Sequence, residues 1–283
     1  MSRVPIKRIY RVRLTLVSFG VLALALSGEG SSARRAAGRA PTLSAKSVRL
    51  RVMTYNIHVG VGMDKRLDLA RVAEVIKYER PDLVGLQEVD RGVERTGRRD
   101  EIAELARMVG MEYAFAPNLN FQGGWYGVAV LSHFPILATD HRRYANRREA
   151  ERRGFIRAEV DAGGQRVNFV TTHLDYQHDG ERLFETGQLM RALEQVTTPL
   201  IVVGDLNDEP SGSSYRLMLT RFEDAWTESG ADERGLTFPS DKATKRIDYV
   251  FFSKGSAVRA KRAWVPSTQA SDHLPLVADL ELR

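Results

Sequence analysis

Apolar and polar positions along this chain change rhythm several times, and each rhythm predicts an element. Residues 48–57 read as a strand, and Leu69, Val72, Ala73 and Ile76 recur at i, i+3, i+4 and i+7, which predicts a helix over 68–78. A short apolar strand over 83–89 runs into charged residues, and 101–109 reads as a second helix closed by Gly110. The rhythm then turns strand-like over 128–131, 154–160 and 166–172, the last two joined by Ala162-Gly163-Gly164, a hairpin signal. A long amphipathic helix is expected over 181–196, with Leu189, Ala192, Leu193 and Val196 on one face. A buried strand over 200–203 follows, and strands over 247–252, 257–264 and 276–280 close the chain. Two helix-bearing stretches, each mixed with more strands than one simple parallel sheet holds, predict an α/β domain of two packed mixed sheets with helices outside, spanning 47–283.

The first 46 residues follow a different pattern. A basic stretch to Arg13, an apolar stretch over 14–26 and small residues to Gly28 have the order of a secretory signal, so 1–28 is expected to be a signal peptide or membrane anchor. The thirteen residues of that stretch fall short of the roughly 20 that span a bilayer core. Residues 29–46, rich in Ser, Ala, Gly and Arg, read as a flexible linker. Export to a periplasmic, extracellular or membrane-anchored location follows as an expectation, with membrane association through this N-terminal segment as one form of it.

Charge changes its meaning once it is located. The net charge is +6, yet residues 1–51 contain eleven bases and one acid, leaving 31 bases against 35 acids beyond them. The basicity belongs to the leader and says little about what the folded body binds. With no cysteine among 283 residues, a disulfide framework, a thiolate zinc site and a cysteine nucleophile are all excluded.

Chemistry gathers at strand ends. Asn56 and His58 follow the first strand, Glu88 and Asp90 the second, and His173 and Asp175 end the strand over 166–172. Asp205, Asn207 and Asp208 follow the apolar run over 201–203, Asp248 opens a late strand, and Asp272 precedes His273 in a loop. Taken singly, each has a bland explanation as a cap, a turn residue or a solvated group. Six separate segments ending in acid, amide or imidazole at the same kind of position point instead to one functional rim.

Oxygen ligands without thiolates suit a hard cation, Mg²⁺ or Mn²⁺, held by one or two carboxylates with positions left for phosphate oxygens. Neither a phosphate-binding Gly-x-x-x-x-Gly-Lys-Ser/Thr loop nor a Gly-x-Ser-x-Gly elbow occurs, which argues against triphosphate hydrolysis and against a serine hydrolase. An aspartate with an asparagine two residues on can orient water and take its proton, while two histidines face the charge developing on phosphorus. The set reads as a hydrolytic phosphoester site.

These segments, TYNIH, GLQEVDR, TTHLD, GDLND, TFPS, RIDYVF and ASDHLPLVADL, resemble the endonuclease/exonuclease/phosphatase superfamily of deoxyribonuclease I-like proteins over about residues 49–283. They look closest to the bacterial branch similar to the catalytic domain of glycosylphosphatidylinositol-lipid remodelling proteins. The resemblance implies a four-layer α/β/β/α sandwich and a metal-dependent phosphoester hydrolase. It implies Glu88 as metal ligand with Asn56 beside it, and Asp272 reaching the metal directly or through water. Asp205 would activate the attacking water with Asn207 positioning it, His273 would stabilise the transition state with Asp248 holding it charged, and His173 would contact the same phosphate. His58 stands where some members carry a second acid, so a one-metal site is expected.

Substrate is read more coarsely. Arg153, directly before Gly154, is the expected phosphate contact, whereas the arginine-rich stretch over 142–157 is interrupted by glutamates and reads as a solvated loop. Phe121, Trp125 and Tyr126 are open to stacking a base, touching lipid or plain packing. Three functions are carried forward: an exported phosphodiesterase acting on a lipid headgroup or other small phosphodiester, a secreted nuclease of DNA or RNA, and a catalytically inactive binding module.

Overall fold

The computed structural model describes residues 47–283; the expected leader over 1–28 and linker over 29–46 lie outside the described residues. In chain order the strands and helices are β1 (Val48–Asn56), α1 (Leu69–Glu79), β2 (Leu83–Arg91), α2 (Glu101–Val109), β3 (Glu112–Phe121), β4 (Gly124–Ser132), β5 (Ile136–Arg143), β6 (Gly154–Ala162) and β7 (Gln165–His173). There follow α3 (Asp179–Ala192), β8 (Leu200–Asp205), α4 (Ser213–Met218), β9 (Phe222–Asp224), α5 (Ala225–Glu228), β10 (Asp248–Ser253), β11 (Val258–Trp264) and β12 (Leu276–Leu282).

The strands form two six-stranded mixed sheets, ordered β11-β12-β1-β2-β4-β3 and β5-β6-β7-β8-β10-β9. Period-two alternation explains how they stack, because each strand sends alternate side chains to opposite faces. Leu50 and Val52 of β1 meet Phe169 of β7, Val203 of β8 and Val250 of β10 in a seam between the sheets. Met53 and Tyr55 point the other way, under Leu69, Val72 and Ile76 of α1 and Ile102 and Leu105 of α2. Behind the second sheet, Val170, Val202 and Phe251 pack against Leu189 of α3 and Met218 of α4. Three apolar seams therefore separate four layers, α/β/β/α, as the resemblance implied.

The sheets approach closely at Gly85, where an added Cβ would lie 2.3 Å from Cγ2 of Val203. Caps behave as elementary helix chemistry requires: the Asp68 side chain accepts from Ala70 N–H before α1, and Gly110 closes α2 in the left-handed conformation. The third helix is shorter than its apolar face predicts, ending at Ala192 rather than 196. Beyond it Leu193 and Val196 still pack on the core from a turn. Strands β3, β5 and β9 and the short helices α4 and α5 were not marked by the pattern.

Candidate active site

The polar residues at the strand ends continue the same alternation that builds the seam between the sheets. On β7 the inward series Val167, Phe169, Thr171 ends in His173; on β8 Ile201, Val203 ends in Asp205; on β10 Phe252, Val250 leads back to Asp248. Strand register then aligns these ends, since His173 lies opposite Asp205 and Asp205 opposite Asp248. Three motifs distant in sequence thus form one row. On the first sheet Asn56 ends the inward series of β1, and Gln87, its register partner on β2, donates to Thr171 Oγ1 across the seam at 2.8 Å.

Glu88 reaches the rim by a different device. The β2–β4 register shifts between Leu86 and Val89, and Glu88 itself adopts φ +56°. A bulge next to a site re-aims a side chain, and a left-handed glutamate stores local strain. Both site strands are then pinned in the same way from behind. Glu101 of α2 accepts the Asp90 N–H at 2.8 Å, and Glu185 of α3 accepts the Asp175 N–H at 2.7 Å. Burial raises both carboxyls to about 8, so each is held largely protonated at neutral pH.

Asp205 is the hub. Its Oδ1 accepts the Asn207 N–H at 2.8 Å, and its Oδ2 accepts Asn56 Nδ2 at 3.1 Å. The same Oδ2 lies 3.4 Å from His173 Nε2 and 3.6 Å from His273 Nε2. His273 Nδ1 is 2.9 Å from Asp248 Oδ2. Its loop is fastened by Ser271 Oγ, which donates to the Asn56 carbonyl at 2.7 Å, and its ring packs on Phe238 at 4.8 Å between centroids.

The two imidazoles carry opposite charge states. Burial works to depress His273, but the Asp248 and Asp205 carboxylates outweigh it and raise the ring to about 10, so it is an imidazolium at neutral pH. His173 is driven the other way, first by burial and then by the Arg153 and His273 cations, and stays neutral. Arg153 Nη1 lies 2.6 Å from His173 Nδ1. A guanidinium can only donate, and because its distance to Nε2 is the longer one, 3.1 Å, Nδ1 is assigned as the acceptor and the ring proton to Nε2, toward Asp205. Asn207 Nδ2 donates to the Leu174 carbonyl at 3.0 Å, and its 3.1 Å approach to His173 Nε2 is a packing contact, since both atoms then carry protons. Burial and the Asp248 charge raise Asp205, His273 offsetting them in part, to about 7.

Glu88, Arg153, His173, Asp205, Asp272 and His273 line one cavity of about 360 Å³. Its free oxygens suit a hard divalent ion. Glu88 and Asp272 would hold the ion, the family's divalent-metal chemistry supplying charge neutralisation at phosphoryl oxygen. Asn56 stands beside Glu88, as the resemblance implied. Its Oδ1 accepts the His58 N–H at 3.1 Å, while its Nδ2 donates to Glu88 Oε1 and Asp205 Oδ2, both at 3.1 Å, so it braces the two carboxylates. Asp205, Asp248 and His273 also bring ligand atoms within 4.8 Å of one another. They are already engaged with each other through the His273–Asp248 bond, which makes them a proton-holding group before they are an ion's cage.

Some of the wall was not legible in the sequence. Phe121 and Tyr126 line the cavity, whereas Trp125, 38% exposed, alternates away from it. Arg95, Glu151, Tyr176 and Phe238 also contribute; Phe238 lies in the TFPS segment, and no local pattern marked the other three. Arg142 pairs with Asp140 at 3.1 Å and the Arg147 guanidinium covers Phe184 at 4.0 Å, so parts of the basic stretch are engaged locally.

The sandwich and its rim define a metal-dependent hydrolase of phosphoric esters. The chain belongs to the Endonuclease/Exonuclease/phosphatase family, whose family model matches residues 53–273. It is 25% identical over 252 residues to the uncharacterized protein YbhP of Escherichia coli K12, covering 82% of this chain and 96% of that protein. A candidate neutral sphingomyelinase of Caenorhabditis elegans is 29% identical over 207 residues, covering 63% of this chain and 46% of that one. The crystal structure of an endonuclease/exonuclease/phosphatase from Beutenbergia cavernae superposes with a TM-score of 0.69 at 26% identity, covering 83% of this chain and 72% of that one.

Proposed function

We propose that the protein is an exported phosphodiesterase that cleaves a lipid headgroup ester or another small phosphodiester by in-line attack of water, with Mg²⁺ or Mn²⁺ as its metal. The observation that carries this reading is the placing of Asp205 Oδ2 between a neutral and a charged imidazole at 3.4 and 3.6 Å. Asp205, raised toward neutrality and oriented by Asn56 and Asn207, takes the proton of the attacking water. The His273 imidazolium, held by Asp248, meets the negative charge that grows on phosphorus, and the His173 Nε2–H adds a neutral donor. Arg153, 3% exposed behind His173, places a fixed cation at the phosphate side of the cavity. The oxygen of water bonds to phosphorus as the bond to the leaving oxygen breaks, the leaving group takes up a proton from solvent to depart as the alcohol, Asp205 returns the proton of water to solvent, and no covalent enzyme intermediate forms.

A small diester fits a cavity of about 360 Å³ bounded by Phe121, Tyr126 and Tyr176. The likeness to a candidate sphingomyelinase supports a lipid substrate, and the order of residues 1–28 supports export. Every expected catalytic side chain lies at this rim, which speaks against an inactive binding module.

The test is to offer the purified full chain, with Mg²⁺, short-chain phospholipids, bis-p-nitrophenyl phosphate, plasmid DNA and RNA, beside His273→Ala. Turnover of phospholipid and the small diester, lost in the variant, is expected. Faster cleavage of nucleic acid would replace this reading with a nuclease, and inertness toward all four would leave only a binding role.

A further inference from the structure

Arg95 is anchored in a manner that leaves one edge of its guanidinium for a ligand. Nε and Nη2 donate to the two oxygens of Asp90 at 2.7 and 2.9 Å, and that carboxylate is fully buried. The planar head lies over Phe121 at 4.9 Å and Tyr126 at 5.3 Å, which fixes its plane. Its backbone N–H donates to Gln122 Oε1 at 3.0 Å, tying the turn to the β3–β4 hairpin. Nη1 makes no hydrogen bond among the described residues, the side chain is 38% exposed, and the residue lines the catalytic cavity.

The stacking also excludes one kind of substrate group. Phe121 and Tyr126 are two of the ring faces that could cradle a quaternary ammonium, and Arg95 already covers both. A headgroup cation placed there would meet a cation.

We infer that Arg95 is a specificity-determining residue that reads a second anionic group, a carboxylate, on the headgroup alcohol of the substrate. The inference rests on the phosphodiesterase reading and narrows it, since a headgroup with only an ammonium lacks the group that Nη1 would bond. A charge-assisted hydrogen bond at a partly open wall corresponds to about tenfold in affinity.

O-phosphoserine and O-phosphoethanolamine differ by one carboxylate and are the matched probes. Calorimetry on the full chain with Mg²⁺ is expected to show phosphoserine binding about tenfold tighter to the wild type, with the two probes binding alike in Arg95→Gln. Because that variant strands the buried Asp90, the double variant Asp90→Asn/Arg95→Gln is measured beside it and is expected to lose the preference too. Arg95→Lys, which keeps the charge but not the fork, is expected to lose most of it. Equal binding by the wild type, no binding of phosphoserine, or a preference that survives in the double variant overturns the inference. Hydrolysis of short-chain phosphatidylserine and phosphatidylethanolamine is followed separately. Failure to cleave either, with the binding preference intact, counts against the diesterase reading and leaves the role of Arg95 standing.

Discussion

Gln87 on the first sheet donates to Thr171 on the second at 2.8 Å, directly beneath the rim, and both side chains are fully buried. This bond, with the Thr54 hydroxyl also in contact with Gln87 at 3.1 Å, is a polar crosslink in an otherwise apolar seam. It sits one residue from Glu88 and two from His173, so it sets the separation of the metal side and the phosphate side of the cavity. Gln87→Leu keeps the bulk but strands two buried hydroxyls, and should lower unfolding free energy by about 2 kcal/mol. Urea denaturation reads that loss, and kcat should fall with it because the two halves lose their common reference.

His273 supplies a pH signature. Its pKa in the folded protein lies near 10, above the ordinary 6.5. The stabilisation it provides is therefore complete below about pH 6.5 and disappears as pH rises through about 10. Asp248→Asn removes the largest favourable partner and should move the alkaline limb of the activity profile to lower pH. His273→Ala should reduce kcat by about a hundred- to a thousandfold at neutral pH. A pH–rate profile of Asp248→Asn that overlays the wild type would dispose of the assigned imidazolium.

Glu101 and Glu185 predict a different dependence, on stability rather than rate. Burial raises each from 4.5 to about 8, so the folded state holds protons that the unfolded chain has released between these values. Stability should accordingly fall as pH rises through about 8, the opposite of a salt-bridged carboxylate. Glu101→Gln mimics the protonated form and can still accept the Asp90 N–H. Melting temperatures at pH 6 and 9 should differ less in this variant than in the wild type.

Glu88 separates strain from function. At φ +56° a glycine is more comfortable than a glutamate. Glu88→Gly should leave the melting temperature unchanged or slightly higher while activity falls by at least about a hundredfold. Glu88→Gln should raise the Mg²⁺ concentration needed for half-maximal rate. Chelation should abolish activity in the wild type, and added Mg²⁺ should restore it.

Much of this molecule is written locally. The four-layer sandwich follows from alternating strands and amphipathic helices, and the strand-end motifs mark His173, Asp205, Asp248 and His273 in the sequence itself. What escaped notice has a common cause. β3 and β5 are edge strands of their sheets, half solvated and irregular in register at Pro117–Leu119 and Ile136–Ala138, so no clean alternation reports them. Asn56 illustrates a finer limit, because whether its amide offers oxygen or nitrogen depends on His58, Glu88 and Asp205 closing around it. Arg95 was invisible for the same reason: its partners Phe121 and Tyr126 come from a hairpin some thirty residues away. Periodicity and side-chain chemistry are properties of the chain as read in order. Register between strands, the charge each neighbour imposes and the wall of a cavity exist only after distant segments meet.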